Sequence, residues 1–334
     1  MIGRTTARRL AAAGWQVDVT GRDPAHLPRE LREAGVRFHA ADRADERRLQ
    51  AVLGDGADLL VDCICFTAAD ARILLPLAEH ATSTALISSK GVYADAAGNH
   101  SNSDTPPDFG GPIRESQPTV APGDVDPPRS REGYGPNKVA AEHVALDSGL
   151  PISVLRPSKM HGAGTDRPRE WVFVKRVLDR RPAILLAARG AGIDHPTAAV
   201  NTAALIETVA HRPGARILNS ADPNAPTVLE IARTIARQLG HAWQEVLLDD
   251  SAPPDLGDTP WNSPHPIVLD TTASLELGYK PVGDYAATVA EEVDWLFDAF
   301  RAGDPDRVLP AEHESFFARF FDYAAEDAYL AGLG

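Results

Sequence analysis

The sequence predicts a doubly wound parallel α/β sheet followed by a smaller C-terminal region. Two observations carry that prediction. Short apolar or alternating runs take turns with helix-forming segments through the first 155 residues, which is the pattern of repeated strand–helix units. The chain, at 334 residues and 43% hydrophobic, is also long enough for one large domain or two smaller ones.

Taken in order, Gly3 opens a helix with Thr6, Ala7, Leu10 and Ala13 on one face, and Gly14 ends it. Residues 15–20 alternate and predict a strand, and residues 25–34 a helix with Pro28 in its opening turn. A strand follows over 36–40, a helix over 45–53 and a strand over 59–66. Residues 68–81 predict a helix interrupted by Pro76, and 84–88 a strand. A polar stretch rich in Gly, Pro, Ser and Asp spans 94–133, which predicts either a lid over a site or a surface insertion. Beyond it, helices are expected from Tyr134, over 171–178 and from Pro226 to Leu239, with strands at 152–155 and 184–187. The aromatic side chains of the tail, from Trp295 to Tyr323, fall at helical spacing and predict core packing or a subunit interface.

Composition excludes several classes. A net charge of −14 leaves no basic footprint for nucleic acid or an anionic membrane surface. No apolar run approaches the ~20 residues of a membrane span. Cys63 and Cys65 sit in what reads as a buried strand, poorly placed to bridge each other, so two small reduced thiols and a cytoplasmic location are expected. No ligand spacing predicts a metal site. Residues 1–13 carry three arginines and no acid, like a transit peptide, but the first helix of the fold is the preferred reading.

The chemistry concentrates between Ser88 and Lys138. Tyr134 and Lys138 are four residues apart, hence on one face of a helix starting near Tyr134. A phenol titrates near ~10 in water, and a neighbouring ammonium favours its ionised form. A serine at a nearby strand end can share a carbonyl oxygen with that phenol. Such a trio suits hydride transfer at a carbon bearing oxygen, with a nicotinamide as partner.

Tyr134-x-x-x-Lys138, preceded by Ser88-Ser89-x-x-Val92-Tyr93 and followed by Leu155-Arg156-Pro157 and His161-Gly162-Ala163-Gly164, resembles the extended short-chain dehydrogenase/reductase family, also called the NAD-dependent epimerase/dehydratase family. The resemblance covers roughly residues 1–300. It implies a Rossmann-like fold, with residues 1–155 as the dinucleotide-binding domain and 156–334 mainly a substrate-binding region with C-terminal helices. It implies Ser89, Tyr134 and Lys138 as the catalytic trio, Ser89 being selected over Ser88 by counting back four from Tyr93. The family usually has tyrosine where this chain has His161.

By the same resemblance, cofactor contacts are expected from Gly3, Arg4, Arg22, Asp42, Ile64, Lys138 and Pro157. Gly21-Arg22 at the end of the second strand leaves room and charge for a 2′-phosphate, which predicts NADP(H) over NAD(H); Asp23 could still cap a helix or take the ribose. Met1-Ile2-Gly3-Arg4 matches only the end of the family's Gly-x-x-Gly-x-x-Gly motif. A truncated or misassigned start and weakened cofactor binding are therefore expected. Substrate contacts are expected from Lys90, Tyr93, His161, Arg167 and His195. Lys90 and Gly91 stand where a dehydratase would carry acids, which argues against that reaction. The first expectation is a carbonyl reductase or alcohol dehydrogenase acting on a small molecule; a nucleotide-sugar epimerase and a catalytically inactive dinucleotide-binding scaffold are the alternatives. A homodimer, through the helix carrying Tyr134 and that over 68–81, is expected by resemblance alone.

Overall fold

The computed structural model describes residues 1–304, 308–309 and 316–333. Its centre is a parallel sheet of β3 (Ala57–Asp62), β4 (Ala81–Ile87), β5 (Ile152–Pro157) and β9 (Arg216–Ser220), in that order. The sheet is covered on both faces, which is why β4 and β5 are buried along nearly their whole length, polar residues such as Ser83, Thr84 and Ser153 included. One face packs α4 (Ala68–Ala78) and α5 (Tyr134–Asp147) through Ala71, Leu74, Ala141, Ala145, Leu86 and Val154. The other packs α7 (Ala199–Ala210), whose Leu205, Ile206 and Val209 meet Ile87, Leu155 and Leu218. The helix α1 (Ile2–Ala12) lies against α7 and buries Thr6, Ala7 and Leu10, so the arginine-rich start is part of the fold. Thr67 opens α4 with a reciprocal capping box to Asp70, and Pro76 is accommodated inside the helix.

A second parallel pair, β1 (Asp18–Gly21) with β2 (Arg37–Ala40), stands apart from the main sheet. The short α2 (Arg29–Glu33) follows β1, and α3 (Glu46–Leu53) connects β2 to β3. Among the described residues β1 pairs only with β2, and β3 only with β4, so each leaves one edge of its ladder open. Between those edges runs a cavity of about 630 Å³. Val17 and Val19 line one side, Leu60 and Val61 the other, with Leu10 of α1 and Leu74 and Leu77 of α4 closing it. Open apolar ladder edges are receptors for another strand. Extending the chain upstream of Met1 by an apolar strand of about five residues and a glycine turn is expected to seat that strand between β1 and β3. The melting temperature should rise by several degrees in a thermal scan; an unchanged value would mean the slot rejects a strand.

The remaining elements build the second half. They are β6 (Lys159–His161), α6 (Trp171–Leu178), β7 (Ala183–Leu186), β8 (Pro196–Ala198), α8 (Val228–Gln238), β10 (Gln244–Leu247), α9 (Thr272–Glu276), α10 (Tyr285–Thr288), α11 (Ala290–Arg301) and α12 (Tyr323–Gly332). β6 pairs with β8 and β7 with β10, both parallel. The aromatic tail joins the large core around Trp171, Phe173, Ile184, Ile231 and Trp261; Trp171 stacks on Phe300 with ring centres 3.8 Å apart. Positions 305–307, 310–315 and 334, which fall in that tail, lie outside the described residues.

Three expectations need correction. β3 stops at Asp62, so Cys63 and Cys65 follow the strand and do not lie within it. Residues 94–133 contain no helix, yet they are held by bridges from Tyr93 to Thr119, Ala94 to His100 and Ile113 to Leu269, because Ile113 and Val120 have apolar partners there. The strand β9 was not expected; its five residues carry too weak a pattern against the turn before them. Beyond residue 155, β9 pairs with β5 and α7 packs on the same sheet.

Candidate active site

The site residues meet at the carboxyl ends of β3, β4 and β5. After β4, Ser88 continues the sheet, its N–H donating to Leu155 O, and its hydroxyl is buried without a partner among the described residues. Ser89 then caps a 3-10 turn over Lys90–Val92 by accepting from Gly91 N at 3.0 Å. The helix α5 begins at Tyr134, with Pro136 in its first turn, where the missing N–H costs nothing. Two glycines allow the turn and the helix to touch. A Cβ on Gly135 would lie 3.1 Å from Gly91 O, and one on Gly91 would meet the Tyr134 ring at 3.3 Å. This close approach places the Ser89 hydroxyl beside the Tyr134 ring: the same Cβ on Gly91 would also meet Ser89 Oγ at 3.4 Å.

Lys138 lies one turn further along α5 and is only 2% exposed. Its ammonium donates to Cys65 O at 2.7 Å and Ile87 O at 2.9 Å and sits 4.2 Å above the Phe66 ring. Burial lowers its pKa to about 8, and the charges of Cys65, Asp62 and Glu142 offset only part of that. A sign follows. Between pH ~8 and the ordinary lysine value of ~10.4 the unfolded chain holds a proton on this side chain that the folded chain has released. The stability of the natural chain relative to Lys138→Met is therefore expected to rise with pH across that window in chemical denaturation; a flat difference would contradict a buried, depressed lysine.

The expected effect of Lys138 on Tyr134 needs correction. Burial raises the phenol's pKa, and the groups that pull it down are Ser89, by hydrogen bonding, and the charges of Arg129 and Arg169. Lys138 spends its charge on two carbonyls and a ring. Neither Arg129, which lies 4.0 Å over the Phe66 ring, nor Arg169 is expected beside Tyr134 from the sequence, because neither stands at an interpretable spacing from it.

Gly3, Arg22, Asp42 and Ile64 all line the cavity between β1 and β3, although they come from four separate segments. Arg22 is exposed just after β1, while Asp23 is engaged as the cap of the next turn, accepting from Ala25 N at 2.8 Å. Asp42 accepts from Ala44 N, and Ile64 is half exposed. Arg4 lies against Gly164, and Pro157 ends β5. At the end of β3, Arg43 ties Asp62 to Asp70. Arg22 and Asp42 thus share a cavity with Gly3 and Ile64, which Lys138 and Pro157 do not line. The start of α1, beside Gly3, has no side-chain bond to its first N–H groups and so leaves them available to an anionic group.

The expected substrate contacts separate. Arg167 is exposed, over the Phe316 ring. Lys90 is buried and shares the Asp194 carboxylate with Lys159. Tyr93 is fully buried and donates to Asn219 Oδ1 at 2.6 Å. His195 is buried too, bonded through Nε2 to Asp222 O and through Nδ1 to Leu269 N. His161 is buried against Asp222. Tyr93 and His195 are thus committed to the interior, because their polar atoms already have partners there.

The strand order and covering helices define a Rossmann-like α/β fold. No family model and no curated protein matches the sequence. Solved structures do match the fold. A UDP-glucose-4-epimerase from Stenotrophomonas maltophila with bound NAD and formylated UDP-arabinopyranose superposes with a TM-score of 0.65 at 17% identity, covering 90% of this chain and 96% of that one. A dTDP-glucose 4,6-dehydratase from Bacillus anthracis in complex with NAD gives 0.64 at 15% identity, covering 90% and 94%. A UDP-glucose 4-epimerase from Bifidobacterium longum in complex with NAD+ and UDP gives 0.63 at 17% identity, covering 91% and 96%. At such identities the likeness establishes the shared fold.

Proposed function

We propose that this chain is an extended short-chain dehydrogenase/reductase that reduces or oxidises a small carbonyl or alcohol with NADP(H). The observation that carries the reading is the meeting of Ser89, Tyr134 and Lys138 at the carboxyl ends of the central strands. In the reductive direction the Ser89 hydroxyl donates a hydrogen bond to the substrate oxygen, and Tyr134 Oη delivers the proton to it. Lys138 fixes the floor of the site by joining the ends of β3 and β4 through Cys65 O and Ile87 O. A bound nicotinamide supplies the hydride.

Arg22 supports the choice of NADP(H), since it is exposed where β1 ends and Asp23 is already engaged. Arg22→Ala is expected to weaken NADPH binding about tenfold, the scale of one charge-assisted phosphate contact, and to leave NADH binding unchanged in a fluorescence titration. Equal loss for both cofactors would remove the preference.

A nucleotide-sugar epimerase is the second reading, favoured by the epimerases among the structural neighbours. Net consumption of NADPH distinguishes the two reactions, because an epimerase regenerates its cofactor in each cycle. Lys90 and Gly91, beside Ser89, supply no acid for a dehydratase.

A further inference from the structure

We propose that His161, Glu170 and Glu292 form a binding site for one divalent transition-metal ion that clamps the second half of the molecule together. The three come from the end of β6, the residue before α6 and the first turn of α11. They are 1%, 1% and 0% exposed, and one ligand atom from each lies within 4.8 Å of the others. Shifts of about 1 Å would bring these atoms to the separations required by ligand bonds of ~2.0–2.2 Å.

Two further observations point to a cation. The first is the orientation of His161. Asp222 Oδ1 accepts from Ala198 N at 2.7 Å and Asn201 Nδ2 at 2.8 Å, which leaves Oδ2 facing His161 Nε2 at 2.8 Å. An acceptor there places the ring proton on Nε2, so Nδ1 carries the lone pair. Among the described residues that Nδ1 is buried with no hydrogen-bond partner, and Glu292 Oε1 has no donor either, its side chain facing the Glu170 carboxylate. A carboxylate behind an imidazole whose other nitrogen is free is the arrangement that orients metal-binding histidines.

The second observation is charge. Glu170, Glu292 and Asp222 bring three carboxylates into one interior; Arg169 faces Glu170 and Glu292, and Lys159 also lies close enough to act on Glu170. Gly162 N donates to Glu292 Oε2 at 2.5 Å and Tyr285 Oη to Glu170 Oε1 at 3.2 Å, but neither group carries a positive charge. Burial and the neighbouring Glu170 push Glu292 towards its neutral form, and a divalent ion between the two would instead hold both as carboxylates. One imidazole and two carboxylates suit Zn²⁺, Mn²⁺ or Fe²⁺ better than Ca²⁺ or Mg²⁺. The chemical competitor is protonation of the glutamates.

The test uses the full chain, stripped with a chelator and titrated with Zn²⁺ or Mn²⁺ against a chromophoric indicator. About one equivalent should bind, and His161→Gln should lose it; Asp222→Asn should weaken it about 10–100-fold, the usual effect of removing such a supporting group. Should these variants fail to fold, the ¹⁵N-histidine-labelled natural chain decides: Zn²⁺ should shift the side-chain nitrogens of one histidine among the eleven. Absence of stoichiometric binding, equally tight binding to a folded His161→Gln, or no histidine shift would overturn the site and leave the glutamates protonated.

Discussion

Replacing Tyr134 by Phe should lower turnover by about 10²–10⁴-fold, the range expected when a positioned proton donor is removed. The ring would keep its contacts with Phe66 and Gly91, so the fold and the cofactor affinity should stay near those of the natural chain. The loss should fall on kcat and leave KM nearly unchanged, since the phenolic proton moves only as the transition state forms. Steady-state kinetics with a panel of carbonyl substrates, alongside NADPH titration, checks both statements. Retained turnover in the variant would remove Tyr134 from the chemistry and favour the scaffold reading. Ser89→Ala should lower turnover in the same direction, because only the hydroxyl is lost from a position beside that phenol.

The largest effect on stability is expected at Arg156 and Glu142. Arg156 Nε donates to Glu142 Oε1 at 3.0 Å and Nη2 to Oε2 at 2.5 Å, with 3% and 1% of the two residues exposed. The guanidinium also lies 4.7 Å from the centre of the Tyr93 ring. Glu142→Ala would leave a buried guanidinium with its carboxylate removed, and such broken pairs cost about 3–5 kcal/mol. The pair joins α5 to β5, the two elements that carry Tyr134 and Arg156-Pro157 to the same end of the sheet. Activity should therefore fall through lost folded protein, visible as a lower midpoint in urea with an unchanged slope. The exposed pair Arg37–Asp18 supplies the contrast: Arg37→Ala should change stability by no more than about 1 kcal/mol, because water already screens it. Equal losses at the two sites would contradict the burial argument.

Arg156-Pro157 illustrates how residues can be noticed in a sequence while their work stays hidden. The dipeptide marks the end of a strand and the neighbourhood of the site, but nothing in its spacing names Glu142 as the partner. The cofactor side shows the same limit. Gly21-Arg22 is legible because the end of a short strand and a charge adjoin in sequence. That Arg22 shares a cavity with Gly3, Asp42 and Ile64 depends on how three crossovers fold. His161 was noticed for its place before Gly162, and was taken as a substrate contact. Its partners are nine, sixty-one and more than a hundred residues away, at Glu170, Asp222 and Glu292, and the helix α11 supplies the last of them.

By itself the sequence determined the alternation of strands and helices, because side-chain period and turn residues act over a few positions. It also determined that Tyr134 and Lys138 share a helix face, because they are one turn apart. Only the tertiary structure decided which charges see Tyr134, which carbonyls hold Lys138, and which strand edges remain open. Those are properties of segments distant along the chain, brought together by burial of the apolar faces of α1, α4, α5 and α7, and no local pattern encodes them.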